Sequence, residues 1–251
     1  MFAEERQRKI IEMMEESSSL KVAELAAHFD VSESTIRRDL QELEEHQILK
    51  RTHGGAVSIQ KRGFEPTFKE KKEEFSHEKK RIGELAAELV EDGYSVILDT
   101  GTTTLEIAKR IRNKKITVIT NSLDIAEELS EVENIELIMT GGTLRGNTRA
   151  MVGYLTENTL KNFRADIAFI GANGITGKDG ATTPNHVEAM TKRAMIASAN
   201  RVYLVADTSK FGNVSFAVIT PVNQITGIIT AGEMNEETAL VEKNKEIEIV
   251  K

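Results

Sequence analysis

Residues 95–104 read SVILDTGTTT, an apolar run that passes directly into a glycine-containing turn rich in hydroxyls. A helical stretch at 105–111 follows at once, so the segment has the order strand, turn, helix. The same alternation of β-rich runs and helical stretches continues along the chain. The further β-rich runs lie at 116–119, 135–139, 167–170, 202–205, 227–230 and 247–250. This alternation predicts an α/β domain with a largely parallel sheet.

The first 57 residues differ from this pattern, because their apolar residues recur at the spacing of short amphipathic helices. Ser32 stands where it can cap one of these helices, in which Ile36, Leu40 and Leu43 form a single apolar stripe. The outward side of that helix and the basic run after it carry side chains able to hydrogen-bond phosphates and base edges. These candidate DNA contacts are Ser32, Ser34, Thr35, Arg37, Arg38, Gln41, Lys50, Arg51 and His53.

The run 48–56 is strand-like and carries two cations into a turn at Gly54 and Gly55. It resembles the wing of a winged helix-turn-helix, which adds contacts to the DNA backbone beside the recognition helix. The alternative is a small helical bundle with a solvated charged face. A helix that begins after a capping serine, a pair of adjacent arginines and a basic Gly-Gly turn together favour DNA binding.

The formal net charge of -7, from 33 Lys+Arg and 40 Asp+Glu, at first argues against a nucleic-acid partner. Residues 1–60 also contain more acidic than basic residues, but most of these acids lie at 4–16 and 42–45, away from Arg37 and Arg38. A small basic face on an acidic protein predicts that a single DNA-binding domain binds DNA weakly. Tight DNA binding should then depend on oligomerisation.

The 251-residue chain is 39% hydrophobic, which is compatible with a buried core, and it contains no cysteine. Disulfides, cysteine zinc sites and cysteine nucleophiles are therefore excluded. The five histidines are scattered without metal-ligand spacing, so neither a metal nor another cofactor is expected. The charged start of the chain and the lack of an apolar run of about 20 residues predict a cytoplasmic protein that makes no membrane contact.

Between the two patterns, Phe68, Phe75, Ile82 and Leu89 recur seven residues apart. This spacing predicts one helix with an apolar side, which either docks on its own domain or joins domains or subunits. The predicted organisation is then a winged helix-turn-helix at 1–57, a linker at 58–76 and a second domain at 77–251.

Polar turns follow several predicted strands, which is where open α/β sheets bind ligands. The glycine, hydroxyls and helix start at 99–104 suit an anion such as phosphate, although the segment is neither a P-loop nor a dinucleotide fingerprint. Ordinary capped turns, a surface salt bridge for Glu188 and a solvent-facing Lys210 are the alternatives. The candidate effector-binding residues are Asp99, Gly101, Thr102, Thr103, Thr104, Asn121, Gly141, Gly142, Arg145, Asn173, Glu188 and Lys210.

The strings VSESTIRRDL at 31–40 and LKRTHGGA at 49–56 resemble the N-terminal signature of the DeoR family of bacterial transcriptional regulators. The later GTTT, TNS, GG, GANG and DTSKFG elements occur in the order of that family's sensor half. The resemblance implies an α/β protein in which a winged helix-turn-helix is joined to a Rossmannoid sensor domain like ribose-5-phosphate isomerase. It also implies a recognition helix at 32–43 that enters the major groove of operator DNA.

A phosphorylated sugar is the usual effector of that family, and the segments 181–184 and 207–212 are similar to those of regulators of fructose utilisation. Fructose 1-phosphate is therefore the favoured effector. We expect a homodimer or homotetramer that represses a sugar uptake or catabolism operon until the effector binds.

The kinship with an isomerase leaves an enzyme as the competing hypothesis. Aldose–ketose isomerisation needs a general base, and the isomerases carry an acidic loop where this chain has GANG at 171–174. Asn173 in that loop can hydrogen-bond a sugar but cannot accept a proton near neutral pH. The sequence thus predicts sugar-phosphate binding without catalysis.

Overall fold

The computed structural model describes residues 2–16, 19–45, 48–52, 54–58, 65, 67–233, 238, 241 and 248–250. The chain divides into two compact units, Met1–Phe64 and Glu65–Lys251. The second unit therefore begins at Glu65 rather than at the predicted residue 77, and it takes in residues 65–76 of the predicted linker.

The first unit combines three helices with a small antiparallel sheet over its described residues. Its elements are α1 (Ala3–Glu16), β1 (Ser19–Lys21), α2 (Val22–Phe29), α3 (Glu33–Glu45), β2 (Leu49–Thr52) and β3 (Gly55–Ser58). The strands pair in the order β1-β3-β2. A helical trio with a β2–β3 hairpin is the predicted winged helix-turn-helix.

The turn into β3 needs a glycine because β1 passes very close to it. A Cβ at Gly55 would lie 1.9 Å from the carbonyl oxygen of Leu20, so any larger residue would separate the two strands. Gly54 also contributes, since its carbonyl accepts the N–H of Val22 over 2.8 Å. The Gly-Gly pair thus joins the wing to the start of α2.

The second unit alternates strands and helices. Its elements are α4 (Phe68–Glu73), α5 (Ser76–Glu88), β4 (Ser95–Leu98), α6 (Thr102–Arg110), β5 (Ile116–Thr120), α7 (Leu123–Leu129), β6 (Ile135–Met139), β7 (Thr143–Arg145), β8 (Ala150–Val152), α8 (Tyr154–Leu160), β9 (Ala165–Gly171), β10 (Gly174–Thr176), β11 (Gly180–Thr183), α9 (His186–Ala197), β12 (Ala199–Val205), β13 (Ala217–Thr220), β14 (Gly227–Ile229) and β15 (Glu248–Val250).

A seven-stranded parallel sheet forms the centre of this unit, in the order β15-β14-β12-β9-β4-β5-β6. Its strands are the seven predicted β-rich runs, so the α/β prediction is confirmed. Consecutive strands proceed outward from β4 through β5 to β6, and the chain then returns to place β9 on the other side of β4. The sheet order therefore reverses between β4 and β9, and open α/β sheets bind ligands at such a reversal.

Successive side chains of each strand enter two different cores, one on each face of the sheet. Val96 and Leu98 pack with residues of α4, α5, α6 and α7, whereas Ile97 packs with residues of α8 and α9. Because both faces are covered, the strands read as almost continuous apolar runs.

Two small antiparallel sheets, β10-β11-β13 and β7-β8, are additions that the sequence pattern does not predict. Their strands are short, and several of them are rich in glycine and threonine rather than in large apolar residues. Periodicity alone cannot distinguish such segments from turns.

The prediction of one helix across Phe68 to Leu89 is wrong. Two helices, α4 and α5, cover this stretch, and Phe75 between them adopts a left-handed conformation (φ 51°). The ammonium of Lys79 donates to the carbonyl oxygens of Lys71 and Glu74, the latter over 2.6 Å, and so satisfies acceptors at the end of α4. Phe68 and Ile82 are in the core of the second unit, so these helices dock on their own unit.

Candidate functional site

Helix α3 of the first unit presents a polar side to solvent, as the sequence predicts. The hydroxyl of Ser32 accepts the N–H of Thr35 over 3.2 Å and so caps the helix. Ile36, Leu40 and Leu43 are buried in the core of the unit. The candidate contacts that remain exposed on the helix or at its start are Ser32, Ser34, Arg37, Arg38 and Gln41, while Thr35 is half-buried.

The candidate arginines of α3 and of the wing strand β2 each pair with a neighbouring carboxylate. Their partners are Glu33 for Arg37 (3.2 Å), Glu42 for Arg38 (3.3 Å) and Glu44 for Arg51 (2.7 Å). Exposed pairs of this kind stabilise a protein by about 0–1 kcal/mol, so DNA phosphates can exchange with the carboxylates at little cost. Of the remaining candidates, His53 and the side chain of Lys50 lie outside the described residues.

A buried ion pair, not predicted from the sequence, holds α3 against α1. Nη2 of Arg6 donates to Oδ1 of Asp39 over 2.9 Å, and the two side chains are 7% and 4% exposed. Asp39 lies beside Ile36 and Leu40 on the buried side of α3. An acidic residue within an apolar stripe is the signal that could have revealed the pair.

An open cleft lies in the second unit, at the carboxyl ends of β4, β9 and β12. It occupies the point where the sheet order reverses. The predicted effector residues that line it are Gly101, Thr102, Thr103, Thr104, Asn173, Glu188 and Lys210.

Lys192 and Asp99 form a buried ion pair beneath this cleft. The ammonium of Lys192 contacts Oδ2 of Asp99 and donates to the carbonyl oxygen of Gly171 over 3.0 Å. Burial alone would lower the pKa of Lys192, but the negative charges of Asp99, Glu188 and Glu65 outweigh it and raise the pKa. Oδ2 of Asp99 also accepts the N–H of Gly171 over 3.0 Å. The pair therefore joins the ends of β4 and β9, the two strands that flank the reversal.

Glu188 is buried rather than part of a surface salt bridge, since it is only 4% exposed. Its Oε1 accepts the hydroxyl of Thr148 over 2.7 Å and lies 3.1 Å from Nε of Arg145. A carboxylate held in this way, with its charge directed to the cleft, can accept hydrogen bonds from ligand hydroxyls.

Lys79 and Lys210 are two further lysines of the cleft lining. Burial lowers the pKa of Lys79 to about 8, an effect that nearby Asp207 opposes and Lys210 reinforces. The ammonium of Lys210 is 5.8 Å from the centre of the Phe75 ring. Both lysines line the cleft, so a ligand anion can approach two positive charges there.

Five predicted effector residues are not part of the cleft lining: Asp99, which lies beneath it, and Asn121, Gly141, Gly142 and Arg145. Both side-chain groups of Asn121 are used within the fold, since Oδ1 accepts the N–H of Thr100 over 2.9 Å and Nδ2 donates to the carbonyl oxygen of Met151 over 3.0 Å. Gly141 and Gly142 turn the chain from β6 to β7 with φ values of 67° and 120°. Arg145 lies 3.1 Å from Glu188 of the lining but is not itself a lining residue.

Several lining or supporting residues are missed by the sequence analysis, among them Glu65, Lys79, Thr148 and Lys192. Lys192 lies three residues from Ala189 and from Met195, which are both core residues. A lysine at helical spacing within an apolar stripe is a usable signal of a buried cation. Glu65 and Thr148 lie in segments without a regular pattern, and no comparable signal exists for them.

The described helices include none that is long and apolar enough to cross a membrane. Within the same described residues, no group of histidine, aspartate and glutamate side chains is arranged to hold a metal ion.

Two domain descriptions match the chain: DeoR-like helix-turn-helix domain over residues 6–62 and DeoR C terminal sensor domain over residues 74–232. The chain belongs to the DeoR family. The helix-turn-helix match contains α3 and the wing, and the sensor match contains the strand ends that form the cleft. The DeoR resemblance seen in the sequence is therefore confirmed.

Relatives within the DeoR family extend over nearly the whole chain. The HTH-type transcriptional regulator GlpR of Haloferax volcanii is 38% identical and covers 95% of this chain and 93% of that protein. The HTH-type transcriptional repressor GlcR of Bacillus subtilis is 36% identical, with coverage of 92% and 89%. A solved ribose 5-phosphate isomerase A of Methanocaldococcus jannaschii is 20% identical, covers 53% of this chain and 52% of that one, and has a TM-score of 0.39. As a DeoR family member, the chain is a DNA-binding transcriptional regulator and not an enzyme.

Proposed function

We propose that a phosphorylated sugar bound in the cleft releases this repressor from its operator. The start of α6 carries the proposal, because it faces the cleft and has no side-chain cap. The first N–H groups of a helix have no carbonyl partner within the helix, and the positive end of the helix dipole favours an anion beside them. A phosphate at Thr102 and Thr103 would use those N–H groups together with the threonine hydroxyls.

The rest of the cleft suits a polyhydroxylated ligand. Lys79 and Lys210 supply positive charge for the phosphate, Glu188 supplies acceptors for sugar hydroxyls, and the amide of Asn173 can hydrogen-bond the ligand. Fructose 1-phosphate is the first ligand to test, because of the resemblance at 181–184 and 207–212.

In this proposal α3 reads the major groove and the wing contacts the DNA backbone. A homodimer or homotetramer presents several such DNA-binding domains to repeated half-sites upstream of a sugar uptake or catabolism operon. The effector shifts the equilibrium by its differential affinity for the two states, so a tenfold release requires about 1.4 kcal/mol of coupling.

Replacing Lys210 with alanine should leave operator binding intact but weaken the binding of fructose 1-phosphate by about tenfold or more. A charge-assisted hydrogen bond to phosphate contributes about 1.5–3 kcal/mol, which supports this estimate. Fluorescence anisotropy of labelled DNA from upstream of the operon, with increasing fructose 1-phosphate, measures both quantities. Lys178→Ala is the matched control, because Lys178 is an exposed lysine of the same unit outside the cleft lining. If fructose 1-phosphate releases Lys210→Ala from DNA as it releases the wild type, the phosphate does not bind at Lys210.

The affinity for a phosphate ester should fall by up to about tenfold between pH 7 and pH 9. Lys79, whose pKa is about 8, is charged at the lower pH and mostly neutral at the higher one. The phosphate itself keeps its two charges across this range, since its second pKa is about 6. Isothermal titration calorimetry at several pH values measures the effect. Lys79→Arg keeps its charge and should flatten the dependence of affinity on pH. A flat dependence in the wild type would show that Lys79 does not interact with the phosphate.

A further inference from the structure

Glu65, the first residue of the second unit, has its carboxylate inside the cleft. Its side chain is only 5% exposed. Oε1 accepts hydrogen bonds from the ammonium of Lys71 and from Nδ2 of Asn173, the second over 3.0 Å. Oε2 is buried and has no hydrogen-bond partner among the residues that the structure describes. A buried carboxylate with one unsatisfied oxygen is costly, so this position is not explained by stability alone.

The groups that hold Glu65 are hydrogen-bond donors that a ligand in the cleft could use. Lys71 and Asn173 both line the cleft. The charge of Glu65 also acts on Lys192, where it is one of the carboxylates that keep the pKa raised against the effect of burial. Glu65 therefore holds a negative charge in the space that the effector would enter, and the two would compete for the same donors.

We propose that Glu65 is an internal competitor of the effector and that the effector displaces it. This inference rests on the proposed sugar-phosphate site. Phe68, three residues further along, is anchored: its N–H donates to the carbonyl oxygen of Asn147 over 2.8 Å and its ring is in the core. Displacement thus moves Glu65 while α4 stays in place.

The position of Glu65 in the chain gives this exchange a regulatory consequence. The residue stands where the polypeptide from the first unit enters the second. In the operator-binding state Lys71 and Asn173 donate hydrogen bonds to Glu65. In the released state they donate to the effector. Because binding free energies are reciprocal, an operator-bound repressor holds its effector more weakly by the same factor by which the effector weakens operator binding.

The test uses the full-length protein and Glu65→Gln, which keeps the shape of the side chain and removes its charge. We expect Glu65→Gln to bind inorganic phosphate and fructose 1-phosphate about tenfold more tightly than the wild type, because the competing state is no longer populated. Operator affinity without effector should fall by a similar factor. Calorimetry measures the first quantity and fluorescence anisotropy the second. Glu73→Gln, which neutralises an exposed carboxylate of α4, controls for the change in net charge.

The outcomes separate this inference from the function on which it rests. If the wild type binds the two ligands and Glu65→Gln binds them equally or more weakly, the displacement of Glu65 is disproved while the sugar-phosphate site stands. If Glu73→Gln increases ligand affinity as much as Glu65→Gln does, the effect comes from net charge and the displacement of Glu65 is again disproved. If neither protein binds either ligand, the proposed site itself fails and the competition falls with it. Glu65→Ala, expected to change affinity in the same direction, provides a second variant if Glu65→Gln folds poorly.

Discussion

Replacing Lys192 with methionine should lower the free energy of unfolding of the second unit by about 3–5 kcal/mol. The side chains of Lys192 and Asp99 are 6% and 1% exposed, so the substitution would leave a carboxylate buried without its cation. Gly171 would also lose the hydrogen bond to its carbonyl oxygen. Urea denaturation followed by circular dichroism measures the change, provided that the transition of the second unit is resolved from that of the first.

The double variant Lys192→Met, Asp99→Asn distinguishes an uncompensated charge from a packing defect. Because it removes both charges, it should regain most of the stability that the single variant loses. Lys178→Met, at an exposed lysine, should change stability by less than about 0.5 kcal/mol. A double variant as unstable as Lys192→Met alone would show that the stem of the lysine, not its charge, stabilises this part of the fold.

The seven strands of the central sheet are predictable because each is buried on both faces and must be apolar. Their order is not predictable in the same way. No pattern within 167–170 indicates that this run pairs with β4 rather than with β6, because neighbouring strands in a parallel sheet are selected by the path of the connections. The position of the cleft depends on that order.

This dependence explains the uneven placement of the predicted effector residues. The turns after β4 and β9 flank the reversal of the sheet, so Thr102 and Asn173 line the cleft. Asn121 and Gly141 follow β5 and β6, which lie progressively further from the reversal. A position at the carboxyl end of a parallel strand is thus not sufficient to bring a residue to the cleft.

The lysines of the cleft cannot all be predicted from the turns that follow strands. Lys79 and Lys192 are on helices, at positions that apolar spacing assigns to the core. Helical periodicity does identify such positions, and a lysine found there needs a buried partner. The partner of Lys192 comes from 93 residues away, so its identity requires the fold.

Replacing Arg37 with alanine should weaken operator binding by about 1–3 kcal/mol, which is about 5- to 150-fold, without changing the thermal stabilisation by fructose 1-phosphate. Arg37 is on the exposed side of α3, and its partner Glu33 is one helical turn away on the same surface. The substitution removes a base or phosphate contact and leaves the buried stripe of the helix untouched. Fluorescence anisotropy with operator DNA measures the loss. Lys9→Ala is the matched control, because Lys9 forms the same kind of i,i+4 pair with Glu5 on α1.

Arg37→Lys identifies what the arginine contacts, because lysine keeps the charge but lacks the planar, bidentate fork. If Arg37 binds a phosphate, lysine replaces it with little loss and the salt dependence of binding is unchanged. If Arg37 reads a guanine edge, Arg37→Lys keeps its affinity for random DNA while its preference for the operator falls. The exposed position of Arg37 near the start of α3, where recognition helices contact bases, favours the second result. Wild-type operator affinity in Arg37→Ala would exclude both roles and would place the reading surface on another side of the first unit.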